Sequence, residues 1–339
     1  MFEIDEIRSE LVSYVNQNPQ AFQAALLSES IFLSKYAKRL TKINGEYPSV
    51  VALMGNVVQA FYSKKFTPFT DVTFKKKDLR SYRQKVDFLL DPAEILGTIY
   101  AYKFEEGKDP KDKLITKETM DMVIAKIIDD LDFLHIQGVY DASKVGIDNP
   151  VFGFSMDGIQ TTLTKILADV QSPAYLIPGN AVTANNILGE INSFEKKLPA
   201  KSKMKVKQIF TSLEDKEEYE EAYDDTYKNT PSFNSADITK TRLGKREIVG
   251  VPGLDKGTIF ATIDNNLLEL VDVVENPGYI SGIQVQDRSI KLMSEFSLNY
   301  DFAINQYLYV HTADATKKIG LNNAAQNKLF YQNESKIAS

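Results

Sequence analysis

The sequence predicts an α+β protein, and three observations carry that prediction. Residues 116–138 hold one long amphipathic helical stripe, residues 259–311 pack several period-two runs between turn signals, and residues 151–254 alternate helical with strand-like pieces. The 339 residues, 43% hydrophobic and 25% charged, are enough for about two cores.

Charge and composition narrow the function classes. Forty Lys plus Arg against 46 Asp plus Glu leave a net charge of -6, which argues against a protein whose main partner is a nucleic-acid backbone and leaves room for a local basic patch. The absence of cysteine removes disulfides, thiolate catalysis and Cys-based zinc or iron-sulfur sites. The first residues, MFEIDEIRSELVSYV, carry acids where a secretory signal has cations, and no apolar run approaches the roughly 18 residues of a membrane span. The expectation is a chain made and kept in the cytosol, with no membrane partner.

At the N-terminus, Ile4, Ile7, Leu11 and Val15 share one helical face, and after Asn18-Pro19 a second stripe runs through Phe22, Ala25, Leu26, Phe32, Leu33, Tyr36 and Leu40. The pattern fits a helical arm docking on another subunit and equally a helical pair packed on its own core. Residues 66–104 interleave Thr, Phe, Val and Tyr with charge, which favours extended structure. Here Lys75, Lys76, Lys77, Arg80, Arg83 and Lys85 face the single acid Asp78, a cationic run that a long hairpin would project from the body.

The helical stripe that follows carries Met120, Val123, Ile124, Ile127, Leu131 and Leu134, with Asp121, Lys126, Asp129, Asp130 and Asp132 mostly on other faces and Gly138 as the stop. About twenty residues make a rod of roughly 30 Å, a length suited to bracing a sheet. Past Asn149-Pro150, two helices are expected, one on Ile159, Leu163, Ile166, Leu167 and Val170 and one from the capping candidate Thr183 through Ile187, Leu188, Ile191 and Phe194. Residues 203–210 read as a strand in which Met204 and Val206 alternate with Lys203, Lys205 and Lys207. Ser212 and Asp215 open a further helix, whose 214–225 portion holds eight acids and one lysine. The polar stretch 229–246 reads as a mobile loop. From residue 247 the chain is strand-dense, with Ile290, Leu292, Phe296 and Leu298 alternating against Lys291, Glu295 and Ser297, and the tail from 313 is expected to be poorly ordered or tied down by a partner.

Nothing in the sequence points firmly to chemistry. His135 and His311 lie 176 positions apart outside any metal-binding spacing and read as surface or helix-end residues, and no phosphate-cradling glycine motif occurs. The acids around Glu218, Glu221 and Asp225 fit a solvated face, a docking surface or a divalent-metal site, the last being the basis for an alternative reading as a metal-dependent enzyme on 214–225. The run from Lys75 to Lys85, with Phe74 and Tyr82 interleaved, fits contact with DNA phosphates, docking on another subunit or an ordinary exposed hairpin.

Taken in order, with GTIFATIDNNLLELVDV and then QVQDRSIKLMSEFSLNYDFAINQYLYV as the most family-like wording, the chain resembles the major capsid proteins of tailed phages, with the Johnson fold of the Hong Kong phage type. Encapsulin-like compartment shells share that fold and are the nearest alternative. The resemblance implies a helical N-terminal arm at 1–48, peripheral-domain segments at 49–65, 106–150 and 255–311, an extended loop at 66–105, a long spine helix, an axial domain inserted at 151–254 and a C-terminal tail at 312–339. It implies a structural protein without catalytic residues, cofactor or metal, assembling with itself as hexamers and pentamers around packaged DNA on the inner face. A portal is a further partner it implies, and the short region before the extended loop implies either a separate scaffolding protein or none, with assembly in the bacterial host cytoplasm and residence in the virion capsid. In such a fold the extended loop lies over a neighbour, so Lys75 to Lys85 would meet the spine-helix acids Asp129, Asp130 and Asp132, or the acidic surface at Glu218 and Glu221.

Overall fold

A computed structural model describes residues 31–61, 65–66, 72–90, 115–230, 233–275, 277–286, 289–314 and 316–337, with three isolated positions before them. The first half of the chain holds β1 (Lys38–Leu40), β2 (Glu46–Met54), β3 (Val72–Arg80), β4 (Tyr82–Leu90) and the long helix α1 (Ile115–Gln137). Next come α2 (Ile159–Ala168), β5 (Tyr175–Pro178), α3 (Ile187–Lys197), α4 (Ala200–Lys203), β6 (Gln208–Ser212), α5 (Leu213–Tyr227) and β7 (Glu247–Val251). The chain then runs through β8 (Phe260–Thr262), β9 (Leu267–Val271), β10 (Pro277–Gln286), β11 (Ser289–Phe302), β12 (Leu308–Thr312), β13 (Gly320–Leu321) and α6 (Ala324–Phe330).

These strands make three sheets. In the first, β11 pairs antiparallel with β10, with β4 along Ile290 to Leu298, and with β9 along Leu298 to Phe302, while β1 joins β9 in parallel. The second is six-stranded in the order β13-β5-β12-β8-β6-β7, and the third is the two-stranded β2–β3 ladder.

Period-two alternation explains why the six-stranded sheet is buried on both faces. Phe210, Val249, Phe260 and Val310 belong to one apolar cluster, while their neighbours Ile209, Ile248, Ala261 and Tyr309 belong to another. The first cluster joins this sheet to Ile127, Leu131 and Ile136 of α1, to Ile159, Leu163 and Ile166 of α2, and to Phe296, Leu298, Tyr300 and Phe302 of β11. The long helix therefore packs on strands that follow it by more than 120 residues. The second cluster gathers Ile187, Ile191 and Phe194 of α3, Tyr219 and Tyr223 of α5, and Phe330 and Tyr331 at the end of α6.

Alternation along β11 holds only to Phe296. Beyond it every residue through Phe302 is buried, and two of the polar ones reach partners on β3. Asn299 Nδ2 donates to Arg80 O at 2.7 Å, and Asp301 accepts from Lys77 at 2.6 Å. The stop of α1 has an equally local cause. A Cβ on Gly138 would stand 2.5 Å from Leu134 O and 2.7 Å from Met156 O, so only glycine lets the segment around Met156 close on the helix end.

Several expectations are corrected. The second N-terminal stripe is not helical where it is described, since Phe32–Lys35 is a single 3-10 turn and Lys38–Leu40 is an edge strand hydrogen-bonded to β9. The remainder of residues 1–30 lies outside the described residues apart from its isolated positions. The cationic segment is not one hairpin within 66–105: β3 pairs backward with β2, β4 pairs with β11, and 91–105 falls outside the described residues. Residues 203–207 are the end of a short helix and a turn, because Ser202 O accepts the amides of Lys205 and Val206, and the strand begins only at Gln208. Thr183 is replaced as cap by Asn186, whose Oδ1 takes the Thr183 amide at 2.8 Å.

The polar stretch before β7 is pinned rather than loose, with Thr241 and Arg246 buried and Arg246 paired to Glu195. The tail is tied to its own chain through β13, the Asn323-capped α6, and the buried Tyr331, whose hydroxyl donates to Gln306 O at 2.5 Å. Strands on both sides of residue 254 build the six-stranded sheet, so 151–254 does not complete a sheet by itself. Both histidines are buried: the His135 ring lies 4.6 Å from the Tyr300 ring in an edge arrangement, and His311 Nε2 stands 3.5 Å from Glu190 Oε2.

Candidate functional site

The β2–β3 ladder has two unlike faces, which follow from its register. Ser49 pairs with Lys77, Val51 with Lys75 and Leu53 with Thr73, so these side chains share the inward face. Leu53 is buried in the second apolar cluster, and Ser49 Oγ donates to Ala303 O at 2.7 Å. Lys77 Nζ donates to Asp301 Oδ1, Phe302 O and Asn305 Oδ1 at 2.6, 2.7 and 2.8 Å, spending all three of its donors on the end of β11 and the turn after it. The ladder thus lies across the body instead of projecting from it along its whole length.

The outward face pairs Val50 with Lys76, Ala52 with Phe74 and Met54 with Val72. Its apolar members are open to solvent, Phe74 at 69% and Val50 at 56%. Phe61 and Phe66, between the two strands in sequence, are more than nine-tenths exposed. A contiguous apolar face of this kind on a free chain marks a contact surface. Fully burying a Val, Met or Phe side chain contributes about 1.5–3 kcal/mol, whereas an exposed ion pair contributes about 0–1 kcal/mol, so the apolar row outweighs the charges beside it.

The cationic residues named from the sequence divide by face. Lys76 pairs with Asp78 at 2.7 Å, a contact that raises the lysine's pKa, and Arg83 pairs with Glu295 and Lys85 with Asp87, all in solvent. Arg80 lies over the rings of Tyr82 and Tyr140, 5.0 and 4.7 Å from their centroids. Lys75 is half-buried on the inward face and Lys77 is committed internally. The expected partners also divide. Asp129 is exposed, Asp130 pairs with Lys126 four residues earlier at 2.6 Å, and Asp132 accepts the Phe32 amide at 2.9 Å, with burial raising its pKa against the pull of that amide. Glu218 is held by Lys256, and Glu221 is exposed. Asp215, beside them, is buried and accepts the Gly257 amide at 2.7 Å.

Sequence reasoning missed the apolar row of β2. The available signal was the Tyr- and Val-containing run EYPSVVALM, which has β propensity but no charge pattern to draw attention. Among the described residues, no three His, Cys, Asp or Glu side chains converge as metal ligands, and no helix is long and apolar enough to cross a membrane.

No family model matches the sequence, and no curated protein matches it. Solved structures do. The chain is similar to the procapsid protein in a structure of satellite phage P4 procapsid including size determination (Sid) protein, at a TM-score of 0.56 and 10% identity over 91% of this chain and 97% of that one. It is similar to the capsid of an empty GTA particle at a TM-score of 0.52 and 8% identity, covering 84% and 90% of the two chains. For the capsid of Myoviridae phage XM1 the TM-score is 0.51 at 8% identity, covering 83% and 90%. The chain has the phage capsid fold that the order of its elements implied.

Proposed function

We propose that this chain is the self-assembling major capsid protein of a tailed phage or prophage, building an icosahedral shell of hexamers and pentamers around DNA. The observation that carries the reading is the exposed apolar face of Val50, Ala52, Met54, Val72 and Phe74 on a chain with the capsid fold. Burial of that face between copies supplies the cohesion, and the charged residues at the base of the ladder set its register and salt sensitivity. The role involves no chemical step by the chain.

In this reading 1–48 acts as the arm and 66–105 as the extended loop, with its base in the β2–β3 ladder. Segments 49–65, 106–150 and the β9 to β11 part of 255–311 form the peripheral domain, 151–254 forms the axial domain with β8, β12 and β13 completing its sheet, and 312–339 continues as the tail. A scaffolding protein, a portal and packaged DNA are the partners of the assembled shell, which forms in the bacterial host cytoplasm and persists in the virion.

Sedimentation velocity and light scattering of the expressed chain, alone and with a scaffolding protein encoded beside it, test the reading. Closed particles of many copies are the expected result, and a strict monomer under every assembly condition contradicts it.

A further inference from the structure

A second concentration of positive charge on the described surface lies away from the ladder. Lys196 lies in the last turn of α3, α4 adds Lys201 and Lys203, and the following turn adds Lys205. Lys336 of the C-terminal segment joins them, donating to Lys196 O and Leu198 O at 2.8 Å each. Burial first and then the neighbouring Lys205 lower the pKa of Lys201, while burial and then Lys336 and Arg246 lower that of Lys203, so these cations are near enough to repel. Arg246 is already matched by Glu195, and Glu334, which accepts the Ala200 amide at 2.6 Å, offsets part of the repulsion at Lys203. None of the five lysines makes an ion pair among the described residues, and Met204 in their midst is 91% exposed.

The same chain carries the complement. On α5, Glu214, Glu217, Glu221 and Asp225 fall at i, i+3, i+7 and i+11, all exposed, opposite the buried Asp215, Tyr219 and Tyr223. The stripe is about 17 Å long at 1.5 Å per residue. Glu214 has Lys256 at 3.9 Å and Asp225 has Lys228 at 2.7 Å, but Glu217 and Glu221 make no ion pair among the described residues.

We infer that the lysine surface of one copy docks on the α5 acidic stripe of the next, a head-to-tail contact between copies that closes into a ring. The inference rests on the shell reading and names a contact surface within it. A heterologous contact joins two different patches of one chain, as these are, and generates a ring when the rotation closes. A second copy fits better than a phosphate backbone, because the chain is net negative at -6 and the patch includes an exposed methionine.

A charge swap tests it. Lys196→Glu with Lys205→Glu, and separately Glu217→Lys with Glu221→Lys, alter exposed side chains, so each chain is expected to fold with unchanged circular dichroism. Each pair of changes is expected to raise the concentration needed for half-maximal assembly by about tenfold or more, and all four together in one chain restore it to near the original value. Wild-type assembly by the double variants, or a fourfold variant as defective as its parents, overturns the contact. Loss of binding to a DNA duplex by the lysine variant, with no rescue of assembly in the fourfold variant, assigns the surface to phosphate and also overturns it. A wild-type chain that forms no shell contradicts the shell reading itself. The contact is then read from low-salt self-association in sedimentation equilibrium, whose absence in the wild type overturns it.

Discussion

Lys77 Nζ stands 2.6 Å from Asp301 Oδ1, although the two residues are 224 positions apart and belong to different sheets. Their side chains are only 16% and 12% exposed, so the pair is largely desolvated and cannot be exchanged for water at no cost. Replacing Lys77 with Met leaves Asp301 and Asn305 without their cation. The expected loss is about 2 kcal/mol in chemical denaturation, the scale of a hydrogen bond to a charged group. The neighbouring Lys76→Met, on the solvated face, is expected to leave the denaturation midpoint unchanged. Equal effects at the two positions would refute the division of the ladder into an anchored and a free face.

Arg246 and Glu195 form the second internal pair, with Glu195 almost fully buried and Arg246 also donating to Val206 O and Lys203 O at 3.1 and 2.6 Å. Arg246→Met strands a buried carboxylate and is expected to cost about 3–5 kcal/mol. Adding Glu195→Leu removes the stranded charge and is expected to recover most of that loss, which a double-mutant cycle by urea denaturation measures. No recovery would mean that the carbonyl contacts of Arg246, not the ion pair, hold this loop.

His135 gives a pH dependence of defined sign. Burial lowers its pKa from 6.5 to about 3, so between those values the unfolded chain binds a proton that the folded chain does not. Its contribution is present above pH about 6.5 and is lost as pH falls toward 3, at up to about 1.4 kcal/mol per pH unit. A His135→Leu chain is expected to lose less stability than the wild type between pH 6 and 4. Parallel stability curves for the two chains would contradict the buried neutral imidazole.

Reversing Lys76, Arg80 and Arg83 to Glu tests the charged base of the ladder. Lys76 and Arg83 sit in solvent and Arg80 lies on two aromatic rings, so the monomer is expected to remain folded with unchanged circular dichroism. Assembly is expected to fail, as scored by light scattering. Normal shells from the triple variant would remove these charges from the docking surface.

Local pattern made some of this fold legible and left the rest hidden for physical reasons. The α1 stripe through Ile127 and Leu131 and the alternation from Ile290 to Phe296 show in sequence because each buries one face against one core. Residues 203–207 imitate a strand because Lys and apolar side chains alternate there, yet Ser202 O draws the next amides into a turn. The tail looked unanchored because Tyr331 and Phe330 are isolated aromatics in polar sequence, and their pocket, with Tyr175 and Tyr309, is assembled from distant strands. The cationic run was visible as charge. That Lys77 faces inward while Lys76 faces out depends on a register with β2 that no local signal specified.

Cryo-electron microscopy of particles formed by the full chain tests the central claim most directly. The account predicts closed icosahedral shells in which Val50, Val72 and Phe74 are buried against a neighbouring copy. A chain that never assembles, or shells in which that face remains open to solvent, would contradict it.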